Sequence, residues 1–411
     1  MADYSRGVSE CAGGVPRAAG LLAGLAAQPA DPLLALIAAF RADPRATKID
    51  LGVGVYRDAA GATPVMAAVK QAERHLADAQ TSKGYLGPEG DIGFVEALMP
   101  VLLGDLSLGD RLTGLQTPGG TGALRLAAEA IARARPGARI HVGTPTWPNH
   151  AAIFTTCGLH VVPHRHFDVA SQRLCFDEVA TALAAAAPGD VVLLHGCCHN
   201  PTGADFSLDQ WREITRLVQE RHLLPLIDIA YQGLGAGLEA DAAGPRHLLG
   251  AVEEALVAYS CDKNFALYRE RTGALYALTG HARTTAAVRS NLFALARVNW
   301  SMPPDHGAAV ARIVLETPAL TALWRAELDG MGARIRALRQ ALAAAEPSLA
   351  ALSVQQGLFS TLALSPAQVA WLREARGIYM AGSGRINIAG LTEAQVPALV
   401  DALTAVREAV A

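Results

Sequence analysis

The residue best placed to do covalent chemistry is Lys263. Of 35 Lys plus Arg residues only four are Lys, at positions 48, 70, 83 and 263, so nearly all positive charge is written as Arg. Arg neither loses its proton nor forms an imine, whereas a partly desolvated Lys does both. Lys263 follows the apolar run Ala255 to Tyr259, within Ser260-Cys261-Asp262-Lys263-Asn264-Phe265, and Arg271 lies one short segment later. That places a reactive amine at the end of a buried strand.

Other runs carry complementary chemistry. Gln116-Thr117-Pro118-Gly119-Gly120-Thr121-Gly122-Ala123 is a glycine-rich loop opening a helix, a place where backbone amides and the helix dipole can hold a phosphate. Its spacing is neither the dinucleotide fingerprint nor a P-loop. Val191 to Thr202 runs from a buried strand into His195, His199 and Asn200. The histidines read as supporting residues rather than metal ligands, because no carboxylate completes a ligand set at suitable spacing. Asp228 ends the apolar run Leu223 to Ile227, with Tyr231 just beyond. A carboxylate there is costly to bury unpaired; it can cap a helix, join an ion pair, or keep a cationic heterocycle protonated beside a phenol. Arg297 and Arg385 stand in separate polar patches, and a planar guanidinium lining a pocket suits carboxylates.

The elements that must position these groups alternate. Helical patterns span Val65 to Ala79, Ala123 to Ala134, Leu208 to Arg221 and His247 to Ala255. Apolar strands span Arg139 to Val142, Val191 to His195, Leu223 to Ile229 and Leu256 to Tyr259. This predicts an α/β sandwich on a mostly parallel sheet, with ligands collecting beyond the carboxyl ends of the strands. Ile49 to Tyr56 reads as a further strand, Pro32 to Phe40 as a short helix, and His306 to about Ala345 as a long helical stretch interrupted near Pro318 and Gly330. The expected organisation is an N-terminal arm (1–27), a small α/β domain (28–63 and 331–411) and a large domain (64–330).

With 411 residues, an apolar fraction of 51%, 18% charged residues and a net charge of −3, neither a nucleic-acid surface nor an acidic tail is implied. A small-molecule partner is expected. Six Cys without Cys-x-x-Cys spacing suggest no disulfide framework and a reducing cytoplasm. Arg17 and the stretch Ala18 to Ala27 faintly resemble a signal peptide, but Asp3 and the Ala/Gly character argue against one. No run approaches the ~20 apolar residues of a membrane span.

Taken together the motifs resemble the fold-type I, pyridoxal-phosphate-dependent aminotransferases of class I, in their aspartate/aromatic branch. The matching runs are LGVGVYRD (51–58), YLGPEG (85–90), TPGGTGALR (117–125), TPTWPNH (144–150), HGCCHNPTG (195–203), DIAYQG (228–233), SCDKNF (260–265), RTGAL (271–275), RVNWSMPPDHGA (297–308) and SGRINIAG (383–390). The resemblance implies a three-layer large domain plus a smaller one, and a ping-pong transfer from L-aspartate to 2-oxoglutarate through a Lys263 Schiff base. Asp228 would pair with the pyridine nitrogen, Asn200 and Tyr231 with the ring oxygen, and Trp147 would stack on the ring, with His150 and His195 behind Asp228. Gly120, Thr121, Ser260 and Arg271 would bind the phosphate, joined by Tyr85 of a neighbouring subunit. Gly54, Trp147, Asn200 and Arg385 would line the substrate site, Arg385 on the α-carboxylate and Arg297 of the neighbour on the distal one. No metal is implied, and the shared sites imply a homodimer.

Arg297 favours dicarboxylates, since an unpaired buried guanidinium is costly, but the family's aromatic enzymes keep this Arg and accept phenylalanine and tyrosine by swinging it away. Val55, Arg57, Thr63 and Thr121 resemble aspartate-preferring members. Gly84, Trp300 and Met302 depart from the common pattern, and flexible, apolar Met302 could tilt the pocket toward aromatic substrates. Tyrosine/phenylalanine transamination is therefore the alternative, with a lyase or decarboxylase on the same fold more distant. A Ser-x-x-Lys acyl-enzyme reading of Ser260 and Lys263 fails, because neither Ser-Asp-Asn nor Lys-Thr-Gly occurs in the chain.

Overall fold

The computed structural model describes residues 21–28 and 31–410, so most of the expected N-terminal arm lies outside the described residues. The centre is a seven-stranded sheet. Its strands in chain order are β1 (Leu112–Pro118), β2 (Arg139–Thr144), β3 (His160–Arg165), β4 (Val191–His195), β5 (Leu224–Ile229), β6 (Ala255–Ser260) and β7 (Thr272–Leu278). In space they run β1-β7-β6-β5-β4-β2-β3. β7 is antiparallel to both its neighbours and the other pairings are parallel.

The strands are apolar because both faces are covered. Successive side chains alternate between two cores. On one face Leu193, Leu226, Ala258 and Leu275 pack with Ala123, Leu124 and Ala127 of helix Gly119–Ala134 and with Leu292 of helix Ala282–Asn299. On the other, Leu194, Ile227, Val257 and Tyr276 meet Leu98 of helix Ile92–Leu103, Ile214 of helix Leu208–Glu220 and Leu248 of helix Leu238–Ala251. The result is a helix–sheet–helix sandwich.

That second core continues without a break into the C-terminal elements, through Leu338, Phe359, Leu372, Ile386 and Leu399. Helix Pro318–Ala345 leads there. Strand Phe359–Thr361 pairs antiparallel with Arg385–Asn387, and Ile378–Tyr379 pairs parallel with Ile49–Asp50. Helix Pro366–Arg376 between them opens on a Ser365/Gln368 capping box and closes on Gly377 at φ +67, a left-handed position suited to glycine.

Three expectations are corrected. The helix placed at His247 to Ala255 runs Leu238–Ala251 and contains Pro245. The strand placed at Ile49 to Tyr56 pairs only at Ile49–Asp50, after which the chain is turned by Asn387 Nδ2, which donates to the Val53 and Val55 carbonyls at 2.6 and 2.7 Å. Pro318 does separate two helices, but Gly330 lies inside an unbroken one.

Candidate active site

Three parallel strands end in register, with His195 of β4 opposite Asp228 of β5 and Asp228 opposite Ala258 of β6. Behind Asp228 runs a line of hydrogen bonds. His150 Nε2 lies 3.1 Å from Asp228 Oδ2, Thr146 Oγ1 lies 2.8 Å from His150 Nδ1, and His195 Nε2 lies 3.0 Å from the same hydroxyl. The carboxylate only accepts, so with a neutral ring His150 donates from Nε2 and takes the Thr146 proton at Nδ1. Burial, reinforced by His150 and His166, pushes the His195 pKa well down. Its neutral ring then donates to Thr146, and each bond points toward Asp228.

Beyond β4 the turn is held by a half-buried carboxylate. Asp205 accepts the Cys198 and His199 amides at 2.7 and 2.8 Å, which places Asn200 against Tyr231. Asn200 Nδ2 donates to the Tyr231 hydroxyl at 3.3 Å, while its buried Oδ1 has no partner. Burial, and then the charge of Asp228, raise the Tyr231 pKa, so the phenol stays a donor. The loop after Tyr231 is fixed in turn by Asp241, which accepts the amides of Gly233, Gly235 and Ala236 at 2.7–3.0 Å. Asp241 also brings a ligand atom close to the thiols of Cys197 and Cys198, but its carboxylate is already committed to those amides.

Arg385 enters from strand Arg385–Asn387. Its Nη2 donates to the Gly52 carbonyl at 3.1 Å, its guanidinium lies 4.6 Å over the Phe359 ring, and its buried Nε has no partner. Burial draws its pKa down, the mark of a cation short of a counter-charge. Phe359 also meets Tyr231 edge-on at 6.0 Å. A Cβ on Gly54 would fall 2.6 Å from the Phe359 ring, so that position has room only for glycine.

Lys263 follows β6 with its side chain one-fifth exposed. Its Nζ is 5.8 Å from the ring centres of Tyr231 and Tyr268 and 3.9 Å from Asp262 Oδ2. Burial lowers its pKa, Arg271 adds to the lowering, and Asp262 and Asp228 oppose it. Beside it, the N-terminus of helix Gly119–Ala134, Ser260 and Arg271 converge. A Cβ on Gly119 (φ +67) would lie 2.6 Å from Arg271 Nη2, and one on Gly120 would lie 3.0 Å from Ser260 Cβ. Thr121 is exposed in the first turn. First-turn amides lack helical partners and face outward with a partial positive charge, so this corner is a ready anion cradle. Trp147 is half-buried, edge-on to His150 with ring centres 5.2 Å apart.

One chain thus gathers Lys263, Asp228, Tyr231, Asn200, Arg385 and Gly54 with the glycine turn, Ser260, Arg271 and Trp147. It does not gather the remaining two. Tyr85 is 95% exposed. Arg297 is exposed at the end of helix Ala282–Asn299, beside an equally open Val298. Met302 abuts the Tyr85 segment, its Sδ 3.0 Å from the Leu86 amide nitrogen. Sequence reasoning did not find Thr146, Asp205 or Arg339. The last is a fully buried Arg that donates to the carbonyls of Gln356, Gly357 and Phe359 at 2.7–3.2 Å and to Ser360 Oγ at 2.8 Å, so it shapes the strand carrying Phe359.

An α/β sandwich with a half-buried lysine and a histidine-backed carboxylate at adjacent strand ends defines a class of lysine-centred enzymes. Residues 46–403 match the family described as aminotransferase class I and II. The chain is 53% identical over 384 residues to a tyrosine aminotransferase of Rhizobium meliloti (strain 1021), covering 92% of this chain and 98% of the relative. It is 43% identical over 391 residues to an aspartate aminotransferase of Escherichia coli (strain K12), covering 93% and 99%. Among solved structures it is similar to an aromatic-amino-acid aminotransferase from Burkholderia pseudomallei covalently bound to pyridoxal phosphate, with a TM-score of 0.92, 39% identity and coverage of 94% and 100%. The chain belongs to the class I and II aminotransferases.

Proposed function

We propose that the chain binds pyridoxal 5'-phosphate at Lys263 and transfers the amino group of aspartate, and of aromatic amino acids, to 2-oxoglutarate. The observation that carries this reading is the convergence of Lys263, Asp228 and two buried polar atoms without partners, Asn200 Oδ1 and Arg385 Nε, beside an anion cradle. Buried polar groups are seldom left unpaired, so these two fit a site built for a polar guest. The cradle would take the phosphate, Asp228 the ring nitrogen, and Asn200 with Tyr231 the ring oxygen, while Trp147 would cover the ring face.

When bound, pyridoxal phosphate supplies the electron sink for a carbanion at the substrate α-carbon. The chain supplies the rest. Burial favours the neutral amine of Lys263, so Nζ can take the α-proton and return it one position away. The donor line from His195 through Thr146 and His150 holds Asp228 oriented. Arg385 receives the substrate α-carboxylate, which gives its buried cation the counter-charge it lacks in the chain alone.

Tyr85 and Arg297 support a site completed by a second copy of the chain, in which each copy lends both residues to its neighbour. The division into a large unit (64–330) and a smaller one (28–63 and 331–411), and a cytoplasmic location, belong to the same reading; among the described residues no helix is long and apolar enough to cross a membrane. Aromatic substrates are favoured by one feature in particular, the apolar thioether of Met302 against the Tyr85 segment. The test is to compare kcat/KM for aspartate, tyrosine and phenylalanine, each with 2-oxoglutarate, in the wild type and in Lys263→Arg. Transamination by the wild type and none by a folded Lys263→Arg are expected. Turnover in Lys263→Arg, or no visible absorbance after reconstitution with pyridoxal phosphate, would refute the reading.

A further inference from the structure

The anion cradle contains a carboxylate of its own. Asp262 is 4% exposed. One of its oxygens, Oδ2, accepts a close hydrogen bond from Arg271 Nη1 and lies 3.9 Å from Lys263 Nζ. The other, Oδ1, is buried with no partner and sits 3.5 Å from where a Cβ on Gly119 would stand, at the N-terminus of helix Gly119–Ala134. The carboxylate therefore bonds the Arg271 guanidinium through one oxygen and lies beside the glycine turn with the other, still unpaired, oxygen. An acidic group at this range repels an incoming phosphate directly. It does serve the chain when no phosphate is present, by giving Arg271 a partner and placing negative charge at the helix terminus.

We propose that Asp262 is an internal stand-in for the phosphate. It holds the cradle together before an anion arrives and competes with that anion for Arg271 and the helix terminus. This rests on the cofactor reading above and goes beyond it in one respect: the chain's phosphate affinity is set below what the same cradle would reach without Asp262. Arg271 is suited to the exchange, being 40% exposed at the side chain while Asp262 is not. It is anchored by a second bond from Nη1 to the Tyr268 carbonyl at 3.2 Å, so Nη2 is left to face the incoming group.

The experiment uses cofactor-free wild type, Asp262→Asn and Asp262→Ser. Inorganic phosphate, pyridoxal phosphate and pyridoxal are each titrated, with thermal unfolding recorded with and without phosphate. In Asp262→Asn the Kd for inorganic phosphate should fall about tenfold, the preference for pyridoxal phosphate over pyridoxal should rise by a similar factor, and the phosphate-free protein should melt lower than wild type. Asp262→Ser, which keeps a small polar group, should behave alike. Unchanged or weaker phosphate binding in either variant would overturn the proposal and make Asp262 a residue that only orients Arg271. Wild type that binds neither phosphate nor pyridoxal phosphate would instead overturn the cofactor reading, so the two failures are distinguishable.

Discussion

Replacing Arg339 by Met tests how the substrate wall is built. Its guanidinium is completely buried, and burial holds its pKa down to about 10, well below the ordinary guanidinium value, which corresponds to a cost of about 3 kcal/mol for keeping the charge inside. No carboxylate hydrogen-bonds to it. Its return comes from charge-assisted bonds to the Gln356, Gly357 and Phe359 carbonyls and the Ser360 hydroxyl, each worth about 1.5–2 kcal/mol, with the Leu352 carbonyl a longer contact at 3.5 Å. A methionine of similar length avoids the burial cost but leaves those acceptors unpaired in the interior. The expected net loss is about 3–4 kcal/mol, a melting-point drop of about 4–5 °C at the unfolding entropy typical of this chain length. Phe359 would lose its tether, so KM for the amino acid should rise more than kcat falls, because Phe359 lies under Arg385 and against Tyr231. Thermal unfolding and steady-state kinetics read the two effects. A change below about 1 kcal/mol, with KM unaltered, would refute the bookkeeping and show that the buried charge gains nothing from its bonds.

Two further outcomes follow from single residues. Gly119→Ala forces a side chain into φ +67 and to within 2.6 Å of Arg271 Nη2; pyridoxal phosphate retention on gel filtration should drop at least about tenfold with the fold intact, and undiminished retention would remove the glycine turn from the cradle. Burial raises the Asp205 pKa to about 6, against the pull of its bonds to the His199 and Cys198 amides. The folded protein therefore binds this proton more tightly than the unfolded chain, and the residue's contribution to stability declines as pH rises from about 4 through about 6. Wild type should lose up to about 3 kcal/mol relative to Asp205→Asn across that window, and parallel stability–pH curves would rule this out.

Much of the site could be read from the chain because its strands are buried on both faces. Val191–His195, Leu224–Ile229 and Ala255–Ser260 each appear as an unbroken apolar run ending in a polar motif, and the structure sets their ends side by side. β7 has little local signature because Thr272-Gly273-Ala274 opens with small residues, and its antiparallel insertion between β1 and β6 depends on partners far away in sequence. The helix Leu238–Ala251 differs from its sequence pattern because Gly244-Pro245 reads as a breaker. Tertiary packing prevails there: a Cβ on Gly244 would stand 2.2 Å from Trp211 Nε1, so glycine is needed for the helices to approach. Thr146, Asp205 and Arg339 share one property. Each acts through atoms brought near only by folding, and nothing in their local sequence separates them from ordinary threonines, aspartates and arginines.

The exposed positions of Tyr85 and Arg297 carry the strongest consequence of a two-chain site. Within one chain Arg385 reaches the pocket and Arg297 does not, so the two carboxylate-binding arginines of a dicarboxylate site would come from different copies. Arg385→Ala and Arg297→Ala should each be nearly inactive toward aspartate when purified alone. Mixed in equal amounts and allowed to exchange, half of the dimers become hybrids. In each hybrid one site collects both substitutions and the other collects neither, so about a quarter of the wild-type activity should return. With tyrosine the Arg297→Ala protein should be less impaired, since an aromatic side chain presents no distal carboxylate to leave unpaired. Absence of any recovery with aspartate, in a mixture shown by subunit exchange to contain hybrids, would place both arginines on the same chain's site and remove the case for sharing.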